Sequence, residues 1–332
     1  MKKVLAIVLV LAMALSLFAC TKKDDNNGSG EKLKVALIAS SSGLGDHSFN
    51  DAAWSGFQKA ETELGVEIKV AEPKEVADYK TTACALAEEG FQMIFATGSD
   101  WGDTLAEVSK LYPEVKFVGL NVNVEGDNVA IARTADHEIG FLVGALAAMM
   151  SESGTVGYIG GKENPSQVRF KTAYQEGVAY VNANAVVLST FVGAFNDPTT
   201  GKEFALEQIN QGADVIFHTA GQSGMGLFDA IKEKDGVFAI GVDSNQDAIV
   251  EGKVLTTAEK HLGVIAYDMI QKLQNGTWTA GTNVYNLAND GVGITDMEFT
   301  KDIIGAEKIE ELNRIKAGII DGSIQVTDTF NQ

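Results

Sequence analysis

The chain has little cysteine, little proline, few histidines and no surplus of positive charge, and each shortage removes a class of protein. Two cysteines in 332 residues rule out a disulfide framework. One of them, Cys84, lies in ACALAEEG on a helical pattern and reads most simply as a small buried apolar residue. Four prolines leave no Pro-rich linker, and neither an internal repeat nor a coiled-coil heptad is present. The four histidines, His47, His137, His218 and His261, lie far apart without metal-ligand spacing, so no metal site is expected. The net charge of −19 repels phosphate backbones and anionic headgroups, which disfavours nucleic acid and direct membrane binding by the body of the protein. Catalytic signatures are missing too. Gly221, Gly224 and Gly226 in GQSGMG, and the glycines from Gly157 to Gly161, lack the G-x-G-x-x-G spacing with a following ribose-binding acid. Ser223 stands in QSG, not in a G-x-S-x-G elbow. These absences argue against an enzyme and against a bound cofactor.

One long apolar run is present. Val4 to Ala19 follows Lys2 and Lys3 and ends at Cys20. It is shorter than the ~20 residues a membrane span needs, and the polar stretch TKKDDNNGSGE follows at once. This start resembles a bacterial lipoprotein signal peptide with Leu17-Phe18-Ala19-Cys20 as its lipobox. The resemblance implies cleavage before Cys20 and lipidation of that cysteine, which leaves Cys84 without a disulfide partner. Loss of Lys2 and Lys3 takes the charge from −19 to −21. The expected order is a signal peptide over 1–19, a mobile tether over 20–32, and a body anchored by lipid to the cell membrane, facing the periplasm or the cell exterior.

About 300 residues remain for that body, more than one core usually takes, so two lobes are expected. Strand-like apolar runs alternate with helical patterns almost throughout: VALIA, EIKVAE, MIFATG, KFVGLN and NVAIART, then TVGYIGG, VVLSTFVG, DVIFHTA, VFAIGVD and VLTTAE. Repeated β-α order implies parallel, doubly wound sheets with right-handed crossovers. Two Rossmann-like halves would form an α/β body whose ligand sits in the cleft between them, at the strands' carboxyl ends. The expected N-terminal lobe is 33–134 plus 261–281, and the C-terminal lobe is 135–260 plus 282–332.

The turn after the first strand, SSSGLGDHSFND, carries an aromatic at such a strand end. Phe49 there is either a ligand contact or a hydrophobic staple under the helix that follows.

Several stretches carry a further resemblance: DHSFNDAAWSGFQKA, YPEVKFVGLN, EIGFLVGALAAMM, GTVGYIGG, VGAFNDPTTGKEFALEQINQGADVIFHTAGQSGMGLFDA, IGVDSNQ and VLTTAEKHLGVIAYD. In this order they resemble the basic membrane protein family of bacterial lipoproteins, the purine nucleoside receptors among them. That resemblance implies a type I periplasmic-binding fold serving an ABC transporter. It implies a monomer that takes a purine nucleoside (guanosine, inosine or adenosine) and passes it to an ABC permease. The family's base-holding Phe and Asn fall on Phe49 and Asn50, and its second stacking ring falls on Phe195 in VGAFNDP. Its base-edge carboxylate falls on Asp103 in GSDWGDTL, with Asp100 a competing candidate; either also suits a helix N-cap. Trp101, beside Asp103, offers wall area. The ribose contacts fall on Asp243 and Lys260, with Gly221 allowing close backbone approach. Asp243 and Lys260 serve equally as an ion pair tying hinge to lobe. Where relatives carry an Asp nine residues before the SFN Phe, this chain has Ser40, a hydroxyl without charge. A sugar or autoinducer receptor of the same fold is the rival reading. A tethered surface antigen is less economical, given an expected hinge and a cleft rich in polar loops.

Overall fold

The computed structural model describes residues 32–331. The expected signal peptide, Cys20 and the tether up to residue 31 lie outside the described residues. Strands β1 (Lys34–Ile38), β2 (Glu67–Ala71), β3 (Met93–Thr97), β4 (Lys116–Leu120) and β5 (Val129–Thr134) form one parallel sheet. Strands β6 (Thr155–Gly160), β7 (Val186–Phe191), β8 (Val215–Thr219), β9 (Phe238–Asp243) and β10 (Val254–Lys260) form a second. Each gains a late strand: β11 (Gly281–Tyr285) joins the first sheet parallel to β5, and β12 (Val292–Ile294) joins the second antiparallel to β10. The orders are β11-β5-β4-β3-β1-β2 and β12-β10-β9-β8-β6-β7.

The continuous apolar runs exist because both faces of each sheet are covered. In β1, Val35 and Leu37 feed one core while Ala36 and Ile38 feed the core on the opposite face. In β8, Val215 and Phe217 likewise face away from Ile216. Helices α1 (Phe49–Leu64), α2 (Tyr79–Glu88) and α3 (Gly102–Leu111) cover the first sheet. Helices α4 (Asp136–Met150), α5 (Pro165–Val181), α6 (Pro198–Asn210) and α7 (Met225–Ile231) cover the second. After β10 the chain returns to the first lobe as α8 (Leu262–Gln274), whose Leu262, Ile265 and Met269 share a core with Ala53 and Phe57. Short α9 (Lys301–Ile304) and α10 (Ala306–Asp321) then complete the second lobe. Helix α4 is apolar nearly all round because it is enclosed by α5, α10 and the second sheet. It approaches α5 so closely that a Cβ at Gly144 would lie 2.2 Å from the Tyr174 carbonyl oxygen.

The chain passes between the lobes after Thr134, after Lys260 and after Tyr285. The last crossing lies beyond the boundary expected at 281, because β11 stays with the first sheet. GTNVY has no continuous apolar run, as befits an exposed edge strand, and the sequence reading missed it. Capping groups fix where two of the second lobe's helices begin. The α5 and α6 starts are set by Asn164 and Asp197, whose side chains accept from the Gln167 and Thr200 backbone N–H groups, followed by Pro165 and Pro198 at the first helical position. Asn164→Ala is therefore expected to lower stability by about 1 kcal/mol. Urea unfolding with an unchanged slope would report it, and an unchanged midpoint would show that the cap contributes nothing.

Candidate functional site

The βα loops of the two sheets converge on a cavity lined by residues of both lobes. On the first lobe, α1 starts at Phe49 because the buried Asp46 carboxylate caps it, accepting from the backbone N–H groups of Ser48 (2.9 Å), Asn50 (3.0 Å) and Asp51 (3.2 Å). Burial pushes this carboxyl up to about 6, against the backbone bonds that favour its charge. The half-buried Phe49 ring meets the cavity on one side and the α1–α8 core on the other, so the staple and the ligand-facing wall are two sides of one ring. Ser40 lines the cavity as well.

On the second lobe, Phe195 is held from two directions. Its carbonyl accepts from Ser223 N at 3.0 Å, and Ser223 Oγ donates to Ala194 O and accepts from Asp197 N, both at 2.9 Å. Its ring lies against Gly161, where a Cβ would come within 2.2 Å of the ring's Cε1. Gly221 turns the chain after β8 with φ +55°, and a Cβ there would approach the Phe195 carbonyl to 3.4 Å. The ring is thus fixed before any ligand arrives.

Charges gather where the chain crosses between lobes. Lys260, ending β10, is 6% exposed, with its ammonium 3.5 Å from Asp136 Oδ2 and 3.4 Å from Asp243 Oδ1. The same ammonium stands 5.1 Å from the Phe49 ring centroid and 4.9 Å from that of Phe170. Asp243 has left-handed backbone, φ +68°, which Asp tolerates better than most residues. Its Oδ2 accepts from Ser48 Oγ. Its buried Oδ1, close enough to attract the ammonium but out of line for a hydrogen bond, has no hydrogen-bond partner.

The lobes also bond directly across the cleft. The His47 carbonyl accepts from Ser244 Oγ and Gln246 Nε2, both at 2.8 Å. At the mouth, Lys162 lies 3.4 Å from Asp100, and Asn164 Nδ2 donates to Ser99 Oγ at 3.2 Å.

Of the residues expected from the sequence, Ser40, Phe49, Phe195, Gly221, Asp243 and Lys260 line this one cavity. Asn50 and Asp103 do not. Asn50 is fully buried behind the loop, its carboxamide oxygen accepting from Ser40 N and Thr97 Oγ1 and its NH2 donating to Gly43 O, Asp46 and Ser40 Oγ. That group brackets the turn and has nothing left to offer a ligand. Asp103 is exposed on the first turn of α3, while Asp100 lines the cavity. The reason is Trp101, fully buried and stacked on Tyr79 at 4.5 Å and 11°, which anchors the turn between the two acids. Trp101 therefore serves the core, and Tyr79 provides the wall.

Phe170, Gln167, Ser166 and Asn121 also line the cavity and escaped the sequence reading. Three of them, Ser166, Gln167 and Phe170, sit on the early turns of α5. The Asn164-Pro165 pair just after the β6 strand was the available signal.

Residues 32–329 match the family described as Bmp, ABC transporter substrate-binding protein PnrA-like. The ABC transporter nucleoside-binding protein BmpA of Lactococcus lactis subsp. cremoris is 30% identical over 98% of this chain and 99% of its own length. An uncharacterized lipoprotein of Pyrococcus abyssi is 30% identical over 89% of this chain and 76% of its own length. Among solved structures, an ABC transporter solute-binding protein of Aeropyrum pernix K1 superposes with a TM-score of 0.84 at 26% identity, covering 89% of this chain and 93% of that one. The type I periplasmic-binding architecture follows from this likeness and from the two mainly parallel six-stranded sheets. With a family match that spans nearly the whole described body, this chain belongs to the Bmp family of ABC transporter substrate-binding proteins, which bind solutes and are not enzymes.

Proposed function

We propose that this protein is the lipid-anchored receptor of an ABC uptake transporter and binds purine nucleosides between Phe49 and Phe195. The observation that carries the reading is the meeting of one ring from each lobe in a cavity that also holds Lys260 and an unsatisfied Asp243 carboxylate oxygen. Two aromatic walls suit a planar base, because stacking is worth ~1–3 kcal/mol per contact whichever base is held. The ribose supplies vicinal hydroxyls that donate to Asp243 and accept from Lys260 in charge-assisted bonds. Asp100, in place of Asp103, accepts from the N–H edge of the purine. Ser40 contributes a neutral hydroxyl where relatives carry an acid. Binding draws the lobes together, and the closed form docks a permease while a separate ATPase supplies the energy. Lipidation at Cys20 holds a monomeric receptor on the outer side of the cell membrane. The naming of the Lactococcus relative as nucleoside-binding and of the Pyrococcus relative as a lipoprotein supports both halves of this reading.

Thermal unfolding tests it directly. Guanosine, inosine or adenosine at a hundred times the dissociation constant is expected to stabilise by about 2.7 kcal/mol, a Tm rise of several degrees. Ribose and glucose are expected to leave Tm unchanged. Protection by sugars with none from nucleosides would hand the site to the sugar-receptor reading.

A further inference from the structure

We propose that Asp328, in the segment following α10, is a positioning residue for the Lys260 ammonium, acting through Arg169, Thr134 and Asp136. The inference rests on the reading of Lys260 as a ribose contact. After α10 the chain turns back over α5, where Thr327 N donates to Glu176 at 3.0 Å. Asp328 then receives a two-pronged bond from Arg169, Nε to Oδ1 at 2.7 Å and Nη2 to Oδ2 at 3.0 Å. The Phe330 ring lies 4.7 Å from the Arg169 guanidinium and 5.7 Å from that of Arg133.

Arg169 is 1% exposed, so its charge cannot be left to water. Its third contact leads inward: Nη1 donates to the carbonyl oxygen of Thr134 at 2.7 Å. Thr134 is the last residue of β5 and stands at the first crossing between the lobes. Its Oγ1 donates to Asp136 Oδ1 at 2.5 Å, and Asp136 Oδ2 faces the Lys260 ammonium at 3.5 Å. A bonded path therefore runs from the protein's outer surface to the floor of the cleft. Asp328, Arg169 and Thr134 do not line the cavity.

The physical consequence concerns a buried cation. Without Asp328, Arg169 keeps a full charge with the Thr134 carbonyl, the Phe330 ring and the Glu138 carboxylate's field but no bonded anion for compensation, and burial makes that arrangement costly. The side chain then leaves its seat and releases the Thr134 carbonyl. Asp136 then keeps only the longer bonds from Asn121 and Ser166 to orient it, and the ammonium it faces is held less firmly at the ribose end of the cavity. Burial pushes the Asp328 carboxyl up, but the Arg169 bond and charge and the Phe330 N–H outweigh it, leaving the group below its ordinary value and ionised.

Two variants test the proposal: Asp328→Asn in the full chain, and a chain ending at Thr327. Calorimetry compares adenosine, which offers a ribose to Lys260, with adenine, which does not. Both variants are expected to bind adenosine about five- to tenfold more weakly. Adenine affinity is expected to stay unchanged, and Asp328→Glu to recover part of the loss. Equal loss for both ligands would mean general loosening of the cleft, and no loss for either would mean an idle contact; each overturns the proposal. Amide hydrogen exchange in residues 134–137 and 259–262 gives a readout that needs no ligand. Faster exchange in Asp328→Asn is expected, and unchanged exchange would also overturn the strap. Failure of the unaltered chain to bind adenosine would instead sink the nucleoside reading and leave the exchange experiment to decide the strap.

Discussion

Replacing Lys260 by alanine is expected to lower unfolding free energy by about 3–5 kcal/mol and to abolish nucleoside binding. The size follows from what the ammonium leaves behind. Asp136 and Asp243 are 1% and 6% exposed, and among the described residues neither has an ion pair with any other lysine or arginine. Their remaining partners are neutral: Thr134, Asn121 and Ser166 for Asp136, and Ser48 for Asp243. Hydrogen bonds from neutral groups do not offset two buried negative charges beside one another. Lys260→Met separates charge from packing, since it restores most of the volume against Phe49 and Phe170 but no charge. The same large loss is expected from it. Chemical denaturation decides the matter, and a loss below ~1 kcal/mol for Lys260→Ala would mean that water fills the gap and the pair is dispensable.

Phe49→Ala and Phe195→Ala are each expected to weaken nucleoside binding about tenfold or more, from ~1–3 kcal/mol of stacking per ring. The double variant should lose roughly a hundredfold, because the two rings come from different lobes and act on opposite faces of the base. The single changes differ in their side effects. Phe49 also packs against the α1–α8 core, so its loss is expected to reduce stability of the unliganded protein as well. Phe195 lies beside Gly161 and Gly221 and, among the described residues, belongs to none of the hydrophobic cores, so its loss should fall on binding. Calorimetry with unchanged affinity in both single variants would rule out the sandwich. Equal destabilisation of the unliganded protein by both would contradict the placement of Phe49 against the core.

Much of this was readable from order and composition. The β-α alternation predicted two doubly wound sheets, and both formed, because strands covered on two faces must be apolar at every position and such runs stand out. The turn holding Phe49 was likewise visible, since parallel sheets deliver their loops to one edge, whereas Phe195, Asp243 and Lys260 were implied by the family resemblance. Less visible were features with no period. β11 is a polar edge strand recognised only by its pairing with β5. The starts of α1, α5 and α6 depend on the capping side chains of Asp46, Asn164 and Asp197, which stand in front of the apolar pattern and have no period of their own.

By itself the sequence determined the alternating elements and the two doubly wound sheets they build. These follow from burial, which is written into the local alternation of apolar and polar residues. The tertiary structure alone decided which side chain on each loop faces inward: Asp100 over Asp103, and Asn50 turned away to bracket its own loop. It alone brought Asp136 to Lys260 and Asp328 to Arg169, the latter pair 159 residues apart. No local pattern encodes such partners, because a buried charge is satisfied by whatever group the chain returns to its side.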